Sequence, residues 1–221
     1  MRRILEREIM DDEEQAVAYA RADFSSSNQT FVDMLVEDYS ARLKNVLDIG
    51  CGPADVPIRL VRVNPTIRVT AVDASDAMIE LALQAVSDAG LTGKIKVLKE
   101  RVRGFALKNH NCDTIISKDL LHHLPDAMVF WKEVKSLAEE ETVIYVMDLF
   151  RPPTKQAARD IVESVSAEEA PILKQDFYNS LLASFTVREI KEQLREAGLA
   201  LEVAEVSERH LLVKGLITGA E

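Results

Sequence analysis

One stretch constrains this chain more than any other: Asn45-Val46-Leu47-Asp48-Ile49-Gly50-Cys51-Gly52-Pro53-Ala54-Asp55. A short apolar run takes in an acidic residue and ends in two glycines one residue apart, and a helical pattern follows. Such a run delivers a strand into a tight turn at the mouth of a parallel sheet. Glycine lacks a Cβ, so the main chain there can bend sharply and approach a ligand closely. The rest of the chain reads as support for whatever sits on this turn.

The pattern downstream is regular. Val46–Ile49 reads as a first strand and Val56–Val63 as a helix, with Pro57 tolerated because it falls in the first turn. Ile67–Val72 is a second strand ending at Asp73, and Ser75 is placed to cap a helix that stops near Gly90. Ile95–Leu98, Cys112–Ser117 and Thr142–Met147 complete five strands, the last two joined by a helix over Asp126–Leu137. Strand–helix alternation with β-branched strands predicts a doubly wound, Rossmann-like and mostly parallel α/β sheet. Ala200–Val206 and Arg209–Val213 are too close in sequence to be parallel, so they predict an antiparallel C-terminal hairpin and seven strands in all. Before it, Thr186-Val187-Arg188-Glu189 is a capping box opening a helix that ends at Gly198.

Two segments lie outside the alternation. Two N-terminal helices are expected, the second with Phe31, Met34, Leu35, Val36 and Tyr39 on one apolar face and Ser25-Ser26-Ser27-Asn28 suited to capping its start. They could form a lid over the open end of the sheet, bringing Tyr19 and Phe24 to a ligand. After Asp148-Leu149-Phe150-Arg151 comes a mostly helical insertion, at the strand end where open α/β sheets bind ligands. One domain is expected: 1–44 a helical lid, 45–150 the cofactor-binding core, 151–185 the insertion on the substrate side, and 186–221 the last helix and hairpin.

A formal net charge of -10 argues against a broad nucleic-acid surface, which needs concentrated Lys and Arg. No apolar run is long enough to span a bilayer, and the charged N-terminus lacks a signal-peptide core. Cys51 and Cys112, both read as buried-strand residues, are too few for a disulfide framework, so a cytoplasmic location is expected. A homodimer is left open.

The chemistry of the turn narrows its ligand. The dinucleotide fingerprint wants a third glycine where this chain has Asp55. A pyrophosphate at the helix start would meet Asp48 and Asp55, which repel it, whereas an ammonium or sulfonium gains from them. Asp73, at the end of the second strand, can accept both hydroxyls of a ribose, or else cap the following helix. Together these describe a nucleoside with a cationic tail and no phosphates.

The segments Val46-Leu47-Asp48-Ile49-Gly50-Cys51-Gly52, Val72-Asp73-Ala74-Ser75-Asp76-Ala77-Met78 and Leu120-Leu121-His122-His123-Leu124-Pro125-Asp126 resemble the landmark motifs of class I S-adenosylmethionine-dependent methyltransferases. The resemblance is nearest to the small-molecule branch that includes ubiquinone- and menaquinone-biosynthesis enzymes. It implies S-adenosyl-L-methionine as methyl donor and a small-molecule acceptor. It further implies that Gly50 and Gly52 cradle the methionine part, with Asp48 near its ammonium. Asp73 would hold the ribose, Ala74 and Met78 would pack on adenine, and Ser117, Lys118 and His122 would line the sulfonium and substrate side. Where the family usually has an acidic residue for the adenine amino group, counting gives Arg101, with Glu100 beside it and Val102 following; adenine is then met by the Val102 backbone or by Glu100.

For the acceptor, His122 is the candidate general base, since imidazole titrates near neutrality. Arg151 is the candidate clamp for a carboxylate or phosphate, with a structural salt bridge as its other use. Phe177-Tyr178-Asn179-Ser180, with Arg209-His210, could complete the acceptor pocket, Tyr178 being the candidate substrate contact, and no metal site is expected. Two other classes stay open: a non-catalytic protein that binds the donor or its demethylated product, and a nicotinamide-dependent oxidoreductase on the same sheet.

Overall fold

Strand order decides where a ligand can sit. In the computed structural model, which describes residues 1–6, 24–102, 111–167 and 169–218, seven strands form one sheet. They are β1 (Asn45–Ile49), β2 (Arg68–Asp73), β3 (Ile95–Lys99), β4 (Thr114–Lys118), β5 (Val143–Leu149), β6 (Glu202–Glu205) and β7 (His210–Leu216). Their order is β3-β2-β1-β4-β5-β7-β6, with β1 to β5 parallel and β7 antiparallel to both β5 and β6. The chain reverses its direction of winding between β1 and β4, which opens a crevice at their carboxyl ends. Register then sets the rim: Asp48 lies opposite Ala71 and Ile116, Asp73 opposite Lys99, and Lys118 opposite Met147.

Helices α1 (Ser25–Tyr39), α2 (Asp55–Val63) and α3 (Asp76–Asp88) cover one face through Phe31, Val32, Leu35, Leu60, Val61, Ala82 and Val86. Helices α4 (Met128–Leu137) and α7 (Val187–Ala197) cover the other, burying Phe130, Trp131, Val134, Ile190 and Leu194. Strand β5, buried along its whole length between these layers, is an unbroken apolar run interrupted only by Asp148. The insertion forms α5 (Lys155–Val165) and α6 (Pro171–Ala183), which pack on Leu149 through Ala158, Val162, Leu181 and Leu182.

Capping chemistry fixes several helix starts. Ser75 accepts from the Met78 amide, Thr154 from Ala157, and Thr186 and Glu189 form the reciprocal box, each cap contributing about 1 kcal/mol. The serine run differs from expectation: Ser25 to Ser27 lie inside the first turn of α1, and Phe24 stands at its N-cap with no side-chain cap. Cys51 is in the turn after β1 and Cys112 precedes β4 half-buried, so neither is a strand residue; both are free thiols. The helix expected from Asp126 starts at Met128, after a single 3-10 turn over Leu121–His123. The first of the two expected N-terminal helices, with Tyr19, lies outside the described residues. No helix among the described residues is long and apolar enough to cross a membrane.

Candidate active site

The glycine turn is stapled to the neighbouring strand. The amides of Gly50 and Cys51 both donate to the Val72 carbonyl, at 2.8 and 3.0 Å, and the Gly52 amide donates to Asp73 Oδ2 at 2.9 Å. This geometry needs positive φ at Gly50 (77°) and Gly52 (51°). A Cβ on Gly50 would come within 2.9 Å of the Leu120 side chain, whereas one on Gly52 would project into open space. The open space is a cleft walled by Asp48, Gly50, Gly52, Asp73, Ala74, Met78, Glu100, Val102, Lys118 and Asp119 among others.

Two carboxylates face this cleft with little to balance them. Asp48 is 3% exposed, and burial together with the Asp73 charge pushes its carboxyl up to about 8, against the pull of Lys118. Burial likewise raises Asp73, moderated by the amides of Ser75, Gly52 and Ala74. Asp73 thus closes the turn and caps the start of α3 (Ser75 amide, 2.9 Å) while its carboxylate still borders the cleft. At the position of the missing third glycine, Asp55 opens α2 and binds Arg59 (2.6 Å) and Asn28 (2.8 Å). A carboxylate therefore occupies the place where a pyrophosphate would need free amides. After β3, where the adenine contact was expected, Arg101 is exposed to solvent, and Glu100 and Val102 are the residues that border the cleft.

Beyond Lys118 lies a second cavity of about 540 Å³, between α1, the insertion and the β6–β7 hairpin. Phe24, Asp119 and His123 line both spaces, so they mark the junction between them. Asp119 sits at φ 56°, a conformation Asp tolerates, and pairs with Lys118; that contact and the nearby histidines hold its carboxyl far below the usual range despite its burial. Of the expected acceptor residues, His122, Arg209 and His210 border this cavity.

Three expected site residues are placed elsewhere. The Ser117 hydroxyl is fully buried and donates to the Ile49 carbonyl at 2.7 Å, tying β4 to β1 below the cleft. Arg151 is buried too, donating to the Ser184 carbonyl (2.9 Å) and Glu189 (2.6 Å), so it fastens the junction of α6 and α7 rather than a ligand. Of the expected stretch Phe177-Tyr178-Asn179-Ser180, Phe177 and Ser180 border the cavity, whereas Tyr178 packs beside Leu149 and Ala158. A one-residue step on a helix turns a side chain by about 100°, which the insertion's weak amphipathic pattern did not resolve.

His122 also differs from a free base. Burial disfavours its charged form, but Asp148 at 2.7 Å, with Glu6 and Asp119 nearby, outweighs it and holds the ring at about 9. It is therefore an imidazolium at neutral pH. His210 is the opposite case: burial lowers it to about 4, so it is neutral but weakly basic. Sequence reasoning missed Asp119, His123 and Asn28 as wall residues, since none belongs to a periodic pattern; only the Lys118-Asp119 pair at a strand end signalled the first.

Residues 46–141 match a family described as a methyltransferase domain. The chain is 28% identical, over 82% of its length, to a trans-aconitate 2-methyltransferase of Streptomyces coelicolor, and it spans only 60% of that relative. Its fold is similar to that of a SAM-dependent methyltransferase of Aquifex aeolicus, with TM-score 0.70 and 19% identity over 92% of this chain and 97% of the other. It is similar also to a plantazolicin methyltransferase solved with SAH and a triazolic analogue, with TM-score 0.72 and 15% identity over 94% and 92% of the two chains. The quinone-biosynthesis branch is not singled out by these likenesses.

Proposed function

We propose that the protein, whose residues 46–141 match a methyltransferase domain, transfers a methyl group from S-adenosylmethionine to a small carboxylate-bearing acceptor held in the second cavity. The observation that carries the donor half is the charge of the cleft. Asp48, buried beside Asp73 and raised to about 8, keeps its proton at neutral pH, and a cationic nucleoside in the cleft favours its ionised form and pairs with it.

In this reading Gly50 and Gly52 receive the methionine part, Asp48 its ammonium, and Asp73 the ribose. Met78, Ala74 and Val102 pack on adenine, with Glu100 the nearest acidic partner. The donor supplies an electrophilic methyl on a sulfonium, and the protein's task is to align an acceptor opposite the leaving sulfur. Helix α1, the insertion and the final hairpin wall the acceptor, and the carboxyl ends of β1, β2 and β4 hold the donor.

The histidines bear on the acceptor. His122 is charged and His210 only weakly basic, so neither is a good proton acceptor at neutral pH. A nucleophile that arrives ionised, such as a carboxylate, needs none. Arg209, half-buried over the Phe177 ring, and the His122 imidazolium are cations facing that cavity. The name of the Streptomyces relative, a trans-aconitate 2-methyltransferase, supports a carboxylic acid as acceptor.

The experiment is direct. Binding of S-adenosylmethionine and its demethylated product is measured by calorimetry, and labelled methyl transfer is followed across a panel of small carboxylic acids, amines and phenols. Binding with transfer to carboxylates is expected. Absence of donor binding refutes the donor half, and turnover confined to amines or phenols refutes the acceptor half. Retention of nicotinamide nucleotides in place of the donor would favour the oxidoreductase reading, which Asp55 at the start of α2 disfavours.

A further inference from the structure

At the inner end of the acceptor cavity the first residues of the chain meet the turn after β4. Arg3 is pinned there: its guanidinium donates to the carbonyls of His122 (3.0 Å), Leu124 (2.8 Å), Pro125 (3.0 Å) and Ala183, and it lies 3.7 Å over the Phe185 ring. The Ile4 amide adds a bond to the Leu182 carbonyl at 3.0 Å. These anchors carry Glu6 in against His122 and His123.

The three side chains converge. Glu6 Oε1 lies 3.1 Å from His123 Nδ1 and 3.6 Å from His122 Nε2, and one donor atom from each residue falls within 4.8 Å of the others. Yet Glu6 Oε1, buried from solvent, receives an aligned hydrogen bond from neither ring. Ligands about 2.0–2.2 Å from a tetrahedral cation sit about 3.4 Å apart, and the two observed separations bracket that edge. The remaining nitrogen of His122 is spoken for: Nδ1 is 2.7 Å from Asp148 Oδ1, while Asp148 Oδ2 accepts from the Leu121 amide at 2.6 Å. A carboxylate behind a histidine, itself held by backbone, is the arrangement that aims the other ring nitrogen at a metal.

We propose that Glu6 Oε1, His122 Nε2 and His123 Nδ1 form a binding site for a divalent transition cation of the zinc or iron(II) type. Two imidazoles and one carboxylate suit such a cation and disfavour magnesium or calcium, which prefer oxygen ligands alone; binding displaces the proton that His122 otherwise carries, so the cation takes over the positive charge of the imidazolium. Three protein ligands leave at least one position open, and both histidines border the acceptor cavity. His123 stands at the junction with the donor cleft, so a bound cation would present its open position beside the place of transfer. Resting on the reading above, the cation would hold an acceptor carboxylate there, adding positive charge to a cavity that also contains Glu169, Asp176 and Glu208.

The test uses the whole protein stripped with a chelator and titrated with Co²⁺ alone, followed by visible absorption, then by competition with Zn²⁺ and with Mg²⁺. One equivalent of Co²⁺ with a tetrahedral or five-coordinate spectrum is expected, displaced by Zn²⁺ and not by Mg²⁺. Glu6→Gln and His123→Gln should each weaken it by about tenfold or more. No spectrum, or equal binding by wild type and both variants, overturns the proposal. If a variant loses its native circular dichroism, the imidazole nitrogen resonances of the wild type decide: His122 and His123 shift on adding Zn²⁺, and unshifted resonances overturn the site. None of these readouts needs methyl transfer, so a failed metal site and a failed methyltransferase reading remain distinguishable.

Discussion

Asp48→Asn should make the unliganded protein more stable while making it a worse donor binder. Asp48 is held at about 8 in the fold, against an ordinary value near 3.9 in an unfolded chain. At pH 7 the folded protein therefore keeps a proton that the unfolded chain has released. The cost is about 1.36 kcal/mol for each of roughly three pH units, or about 4 kcal/mol as a ceiling. The sign follows from the raised value. The penalty is absent below about pH 4, grows as pH rises, and levels off above about 8. Asparagine is nearly isosteric and carries no such cost, so the variant should gain up to about 4 kcal/mol at pH 7, a rise in Tm of roughly 8–16 °C for a chain of this size.

The donor should report the opposite sign. An ammonium in the cleft favours the ionised form of Asp48, and a charge-assisted hydrogen bond is worth about 1.5–3 kcal/mol, so the variant should bind S-adenosylmethionine roughly 10- to 100-fold more weakly. Thermal melts at pH 4.5 and 7.5 with calorimetry at pH 7.5 check both halves. A Tm gain of equal size at the two pH values, or a loss at both, refutes the argument from burial. Undiminished donor affinity refutes the placement of the ammonium.

Donor affinity of the wild type should rise with pH up to about 8 and flatten beyond, because binding expels the Asp48 proton below that value; calorimetry in buffers of different ionisation enthalpy should show that proton release, absent in Asp48→Asn. Gly50→Ala should cost about 1–3 kcal/mol and abolish donor binding, since the methyl group must both adopt φ 77° and displace Leu120; denaturant melts and calorimetry measure the two effects. Arg151→Met should lower stability by about 1–3 kcal/mol, as the buried Ser184 carbonyl loses its donor, and leave the acceptor KM of the remaining folded enzyme unchanged; a large KM effect would return Arg151 to the acceptor site. Arg209→Gln should do the reverse, raising KM for a carboxylate acceptor about tenfold with little change in Tm.

The glycine turn and the cleft beside it, proposed above for the donor, were legible because their geometry is tied to backbone. Gly50 and Gly52 must adopt positive φ, Asp73 must follow a strand, and Ser75 must open a helix; each requirement leaves a residue type at a fixed spacing. The sheet was legible for the same reason, down to the antiparallel β6–β7 pair, whose short connection admits no crossover. The acceptor half has no such tie. Arg151 follows β5 in sequence as a ligand clamp would, but the partner that captures it, Glu189, is 38 residues away on α7, where sequence showed only a capping box. That one carboxylate accepts from the Thr186 amide and from Arg151 Nη2 together.

His122 shows how far the difference reaches. Its type and position suggest a base, because an imidazole in isolation titrates near neutrality. Its partners reverse that reading: Asp148 comes from the carboxyl end of an otherwise apolar β5, and Glu6 from a segment more than a hundred residues earlier, held in place by Arg3. An acid inside a buried strand is costly unless something charged faces it, so Asp148 was itself the sequence signal that a cation, whether imidazolium or metal-bound imidazole, would be found across from it. The same logic joins the two ends of the site. Asp48 is a buried carboxyl group inside β1 with no ion pair among the described residues, and Asp148 is a carboxylate inside β5 whose cation the protein supplies. The first is therefore left for a ligand to neutralise, and the second fixes a side chain around which a ligand can be placed.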